Sequence, residues 1–442
     1  MKKIDLTKGK VLKVLISLSI PIMASSFLQF AYNIIDMIWI GYLGSDSVAS
    51  IGSSSLFIGL GHSINALVVI GTGIKVSHSI GEKNENKVKK YVASGEVLNL
   101  IISLLYGSIL ILFGKYFIGF LRLGNNNVEI EAYKYLAISA PYLFFAFFNT
   151  LFIRIFNGYG NNKKVLKINI IGIGINVILD PIFIFALKLG VSGAALSNLI
   201  GAIVVFILLI YNGRSILKVN IKENYKLIYI KEIIRLGFPM SLQRVIFTFI
   251  NIILARIIAE FGSNAIAAQK IGLQIESIVY MVIGGLNGAI TAFVGQNFGA
   301  KRYNRIDEGY NSAIKIGMIY ALFITLLFIL IPEKLMEIFI RDINTIKIGS
   351  EYLRILGLSQ IFAVVEMISN GMFNGIGKPK IPSSISIVFT LLRIPIAYIL
   401  SRFIGINGVW IAITVTSILK GITAYLVYRF KIWRNYQDVR IN

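Results

Sequence analysis

The 442-residue chain contains no cysteine and only two histidines, His62 and His78. The first absence excludes a disulfide framework and thiolate metal sites, and two histidines alone cannot cage a metal. Charge is scarce too, at 15% of residues against roughly a quarter in soluble domains. Acids are scarcer than bases, 21 against 44, for a net charge of +23. No glycine-rich phosphate loop ending in Gly-Lys-Ser or Gly-Lys-Thr occurs, so no ATP partner is expected. No basic segment is interleaved with aromatics on a soluble domain, which argues against nucleic acid as a partner. Nothing resembles a histidine-rich metal cluster, a nucleophile elbow or a serine–lysine pair, so no enzyme activity and no cofactor are expected.

Apolar residues are plentiful, at 56%, and mean hydropathy is +0.76. They come in runs such as "LIGAIVVFILLIY", long enough to approach the ~20 residues that cross a bilayer. Transmembrane β-strands would show short alternating segments instead. The expected architecture is therefore an all-α integral membrane protein of twelve spans. They fall near 11–43, 48–80, 91–121, 130–157, 163–187, 190–212, 232–261, 264–297, 307–340, 346–374, 381–402 and 405–430. The basic residues sort by loop. Lys8, Lys87, Lys163, Arg214, Lys222, Lys301, Lys378 and Arg429, with their neighbours, fall on one side of this pattern. Lys115, Lys188, Lys334 and Arg402 are among the few on the other, and the first set dominates about threefold. That side is expected to be cytoplasmic and to carry both termini.

The chain also repeats itself. "LSIPIMASS" at Pro21 recurs as "LGFPMSLQR" at Pro239, "LGSDSVASIG" as "FGSNAIAAQK", and "FNGYGNNKK" as "FNGIGKPKI". The first two pairs lie 218 residues apart. Two six-helix lobes of like orientation are expected, 1–212 and 232–442, joined by a cytoplasmic linker at 213–231.

Charges inside apolar spans cost at least ~2.5–3.5 kcal/mol near a helix centre, so each calls for a partner or a purpose. Asp36 lies in the first span. Asn176 and Asp180 lie four apart in the fifth, hence on one face, and Asn198 lies in the sixth. Carboxylate and amide oxygens are hard ligands suited to Na⁺, and Asp36, Asn176 and Asp180 are the expected metal-contacting set. Two close carboxylates also raise each other's proton affinity, which suits H⁺. The second repeat has Leu254 where the first has Asp36, so only one lobe is expected to bind the cation. Pro21 weakens the first span and is a candidate hinge. In the second lobe Glu276 and Glu366 share the membrane region with Arg244, Arg256, Lys270 and Arg393. They either form structural ion pairs or, for Glu276, attract cationic substrates.

The motif order resembles the multidrug and toxic compound extrusion (MATE) family. Pro21 with "YNIIDMIWIGYLG" (32–44), "INVILDPIF" (175–183), "GVSGAALSN" (190–198), "GQNFGAKR" (295–302), "NGIGKPKIP" (374–382) and "LLRIPIAYIL" (391–400) carry it over nearly the whole chain. The position of Asp36 and Asp180 in the first lobe places it nearest the DinF-like branch. The resemblance implies a V-shaped pair of six-helix lobes and cation-coupled export of organic, often cationic, compounds across the plasma membrane by a monomer bathed in lipid. It also implies a cation site at Asp36, Asn176, Asp180 and Asn198, and a substrate cavity at Gln29, Tyr135 and Asn149. Asn198 departs from the hydroxyl residue expected there. An acid in the seventh span, as another branch has it, is missing from Gln243 to Thr248. A lipid-linked oligosaccharide flippase of the same superfamily is the alternative; the paired acids favour cations over a phosphate-bearing substrate.

Overall fold

The computed structural model describes residues 5–432 and is helical throughout its regular structure. The chain termini, expected on the cytoplasmic side, lie outside the described residues. Fifteen α-helices follow one another: α1 Val11–Gly41, α2 Ser45–Gly81, α3 Glu85–Phe120, α4 Asn126–Gly158, α5 Asn162–Pro181, α6 Gly190–Leu217, α7 Ile221–Asn224, α8 Leu227–Ala259, α9 Ser263–Gly299, α10 Tyr303–Leu330, α11 Pro332–Glu337, α12 Ile343–Gly357, α13 Gln360–Gly375, α14 Lys380–Ile404 and α15 Ile406–Leu426. In hydrocarbon every backbone polar group must pair within its own segment, and a long apolar run therefore becomes a helix. Phe120, Phe403 and Ile319 are at least three-quarters exposed, as lipid-facing side chains would be.

Among the described residues eleven helices are long and apolar enough to cross a membrane, and α12 with α13 makes a twelfth span bent by 57°. The expected twelve-span, two-repeat architecture thus stands. The tenth span, anticipated as one helix over 346–374, breaks at Leu358 and Ser359. The ninth, anticipated to reach residue 340, stops at Leu330 because Pro332 cannot continue the helix and starts the short α11 instead. After Pro181, α5 widens into a π-helical turn, Ile182–Ala186. The segment 213–231 is largely helical: α6 runs on to Leu217, and α7 and the start of α8 fill much of the rest.

The repeat recurs in backbone detail. Gly44 and Gly262 enter α2 and α9 at φ 101° and 93°, a conformation that glycine adopts without strain. Lys83 and Lys301, at the far ends of the same two helices, both take φ 55°. The chain forms two compact units. Unit 1 holds Ala24–Ser241, and unit 2 holds Leu6–Met23 with the chain from Leu242 onward. Each change of unit falls two residues after a helix-internal proline, Pro21 in α1 and Pro239 in α8. Unit 2 has a single continuous apolar core, built around Phe293, Tyr310, Tyr352 and Trp410. The apolar interior of unit 1 is divided into several clusters, and polar side chains are buried in the same unit.

Candidate functional site

Those polar side chains arise from regular spacing. On α1, Gln29, Tyr32 and Asp36 follow at three and four residues and share a face. On α4, Tyr135, Tyr142 and Asn149 follow at seven-residue intervals, again one face. On α5, Asn169, Asn176 and Asp180 do the same across three turns. Gln29, Tyr32, Tyr142, Asn149, Asn169 and Asn176 of these, with Asn198 of α6, line a cavity of about 390 Å³ in unit 1. Asp180 and Tyr135 are buried and Asp36 is half-buried, all three within electrostatic reach of the lining residue Tyr32.

The walls are pinned by hydrogen bonds that cross helices. The Tyr32 hydroxyl donates to Asn198 Oδ1 at 2.9 Å, tying α1 to α6. Asn149 Nδ2 donates to the Ala202 carbonyl at 2.9 Å, tying α4 to α6. Asn65 Nδ2 donates to Thr150 Oγ1 at 3.2 Å, tying α2 to α4. Ser197 Oγ donates to Asp180 Oδ1. Gly201 lets α5 and α6 close on each other: a Cβ there would lie 1.8 Å from Asn176 Oδ1.

Against this satisfied frame, several buried oxygens accept nothing. Asp36 Oδ1, Asn176 Oδ1, Asp180 Oδ2 and Asn149 Oδ1 have no hydrogen-bond donor among the described residues. Asp36 and Asp180 lie within electrostatic reach of each other and of Tyr32. Buried acceptors without donors are unfavourable, and buried carboxylates more so. A set made only of carboxylate and amide oxygens fits a proton or a hard cation such as Na⁺. Among the described residues no group of three or more His, Cys, Asp or Glu could hold a metal, so a transition-metal centre has no donor set there.

The sequence-derived residues Asp36, Asn176, Asp180, Asn198, Gln29, Tyr135 and Asn149 therefore come together in unit 1. Glu276 does not join them. It is buried on α9 in unit 2, where the Tyr352 hydroxyl donates to Glu276 Oε2 at 2.8 Å. Glu366 pairs with Lys420 at 3.7 Å rather than with the four basic residues weighed from sequence, and Arg393 donates to Thr416 at 2.9 Å. Tyr32, Tyr142 and Ser197 escaped sequence reasoning. Tyr32 could have been found from its place between Gln29 and Asp36 on one face. Ser197 supplies a hydroxyl one residue before Asn198, where one had been expected.

The MatE family profile matches residues 21–182 and 239–399, one stretch per repeat. The chain is 26% identical to "Probable multidrug resistance protein YoeA" of Bacillus subtilis over 96% of this chain and 94% of the relative. It is 25% identical to "Multidrug export protein MepA" of Staphylococcus aureus over 95% and 94%. Among solved structures, "Crystal structure of MATE in the straight conformation" matches with a TM-score of 0.90 at 26% identity over 99% of both chains. "Crystal structure of MATE in the bent conformation" matches with a TM-score of 0.93 at 23% identity over the full length of both. With both repeats matched and the same helical architecture, the chain belongs to the MatE family of multidrug and toxic compound extrusion (MATE) transporters.

Proposed function

We propose that this protein exports organic, often cationic, compounds by antiport against an inward Na⁺ or H⁺ gradient, through alternating access. The observation that carries the reading is the set of donor-free buried oxygens of Asp36, Asn176 and Asp180 beside a cavity of about 390 Å³. That volume falls within the range of sites for small organic molecules. Relatives named for multidrug resistance and multidrug export support the substrate class. In this reading Asp36, Asn176, Asp180 and Asn198 take the coupling ion. Gln29, Tyr135 and Asn149 face the substrate, and Glu276 tunes affinity for cations from unit 2. Pro21, two residues before α1 passes from unit 2 to unit 1, lets α1 bend as the site fills. The protein works as a monomer in the plasma membrane, needs no ATP, and holds both termini in the cytoplasm.

The test is efflux of a fluorescent organic cation from proteoliposomes. Export is expected under an imposed Na⁺ or H⁺ gradient without ATP, and the effective ion identifies itself. Export that continues after both gradients collapse, provided ATP is present, overturns the proposal. Orientation is checked separately. In this cysteine-free chain Lys222→Cys is expected to react with an impermeant maleimide only after the cytoplasmic face is opened. Labelling of intact cells would reverse the topology.

A further inference from the structure

A second cavity in unit 1, of about 680 Å³, shares no lining residue with the first and is lined by residues of α3, α4, α6 and α7. Its walls are apolar and aromatic, with Leu100, Phe148, Phe152 and Ile210 among them. Glu96 of α3 faces into it. That side chain is only 8% exposed, and among the described residues no hydrogen bond or ion pair reaches it. Two cations, Arg214 and Lys218, line the same cavity but are exposed. The Arg214 guanidinium lies 4.8 Å from the Tyr211 ring centre and makes no ion pair with Glu96. The acid of this cavity is therefore buried, its two cations are exposed, and the other lining residues are apolar.

A buried carboxylate without a partner is unfavourable by several kcal/mol, so a site that retains one is built to receive a cation or a proton. A simple organic cation would be repelled by Arg214 and Lys218, though weakly, because exposed charges are screened. A simple anion would meet Glu96. We infer that this cavity binds an elongated zwitterion, its ammonium against Glu96, an aromatic or aliphatic body lying against Phe148 and Phe152, and its anionic end at Arg214 and Lys218. A zwitterionic phospholipid fits poorly. Its ammonium and phosphate are adjacent and cannot occupy the two ends of an apolar wall.

The test uses the full chain in phosphatidylcholine nanodiscs and the photoreactive zwitterion 4′-(aminomethyl)benzophenone-4-carboxylic acid, with adducts mapped by peptide mass spectrometry. Adducts are expected in segments 148–152 and 210–221. Glu96→Gln, nearly isosteric, is expected to reduce them at least tenfold, whereas Glu96→Asp retains part. Arg214→Gln combined with Lys218→Gln, both on exposed positions, is expected to weaken labelling by the zwitterion and strengthen labelling by 4-(aminomethyl)benzophenone. Asp36→Asn is expected to leave these adducts unchanged, so this site and the coupling site stand or fall separately. Adducts that persist in Glu96→Gln overturn the inference. So does equal labelling by benzophenone-4-carboxylate, and displacement by phosphatidylethanolamine would make the cavity a lipid site instead.

Discussion

Asp36→Asn and Asp180→Asn are each expected to reduce gradient-driven export to the background of empty proteoliposomes, at unchanged protein yield. The argument is energetic. A coupling ion moves a two-state transporter only through its differential affinity for the two states. Swinging the population from 1:99 to 99:1 takes about 5.5 kcal/mol of that difference. In unit 1 the charged acceptors able to supply it beside the cavity are Asp36 and Asp180, each with a buried oxygen that no described residue satisfies. Asparagine keeps the shape and removes the charge, so proton or Na⁺ occupancy no longer changes the electrostatics among α1, α5 and α6. The fold should survive, because the amide oxygen of asparagine at 180 can still accept from Ser197. Asp180→Ala would instead leave the buried Ser197 hydroxyl unpaired, at about 1–3 kcal/mol, and confuse folding with coupling. Efflux and ion-dependent drug binding are measured at matched protein levels. Glu276→Gln, in the other unit, is expected to change affinity for cationic drugs more than ion dependence. If both Asp variants export at wild-type rates with normal ion dependence, the unit 1 site is wrong, and Glu276 and Glu366 become the next candidates.

The acids of that site were legible because they interrupt apolar runs. A carboxylate at residue 36 or 180 stands out wherever its surroundings are uniformly hydrophobic, and the four-residue spacing of Asn176 and Asp180 needs only helical geometry. The spans and the repeat were legible for the same reason: bilayer thickness and loop charge leave a period in the sequence. Side chains that serve the site without charge were not. Tyr32 and Ser197 are ordinary residues for a membrane helix, and only their contacts with Asn198 and Asp180 distinguish them. The pairing of Lys420 with Glu366 was not legible because it joins residues 54 positions apart, on α15 and α13, with no local signature. The break at Leu358 and Ser359 was hidden because apolar residues continue on both sides of it, Ile355 and Leu356 before and Ile361 to Val365 after, and neither residue is a strong helix breaker. Where α1 and α8 pass from one unit to the other is likewise a property of packing. The two prolines mark weak points, and nothing local says which neighbours each half of the helix will choose.

Packing also sets the second large effect, on the contact between α2 and the first half of α8 inside unit 1. Gly71→Leu and Gly237→Leu are each expected to eliminate monodisperse, folded protein. A Cβ at Gly71 would lie 2.2 Å from the Ile233 carbonyl oxygen, and one at Gly237 only 1.7 Å from that of Leu67. Both obstacles are backbone, so no rotamer change relieves them, and the two helices must separate. Separation breaks more than van der Waals contact. Ser241 Oγ donates to the Ser63 carbonyl at 2.8 Å, and Lys75 pairs with Glu232 at 2.6 Å, both across this same contact. In a bilayer small residues allow such close approach, and no hydrophobic force between helices compensates for its loss. Overpacking in cores costs about 1–3 kcal/mol where side chains can yield. Here the backbone must yield, and several kcal/mol is a large share of the roughly 5–15 kcal/mol that typically holds a protein folded. Gly59→Ala is the control. It lies on α2 as well, but a Cβ there meets nothing within 4 Å, and replacing a helical glycine by alanine should be neutral or stabilising by up to ~1 kcal/mol. Thermal unfolding in detergent, read by size-exclusion fluorescence, separates the cases. If Gly237→Leu elutes as a sharp peak with a wild-type melting temperature, the α2–α8 contact is not as close as described.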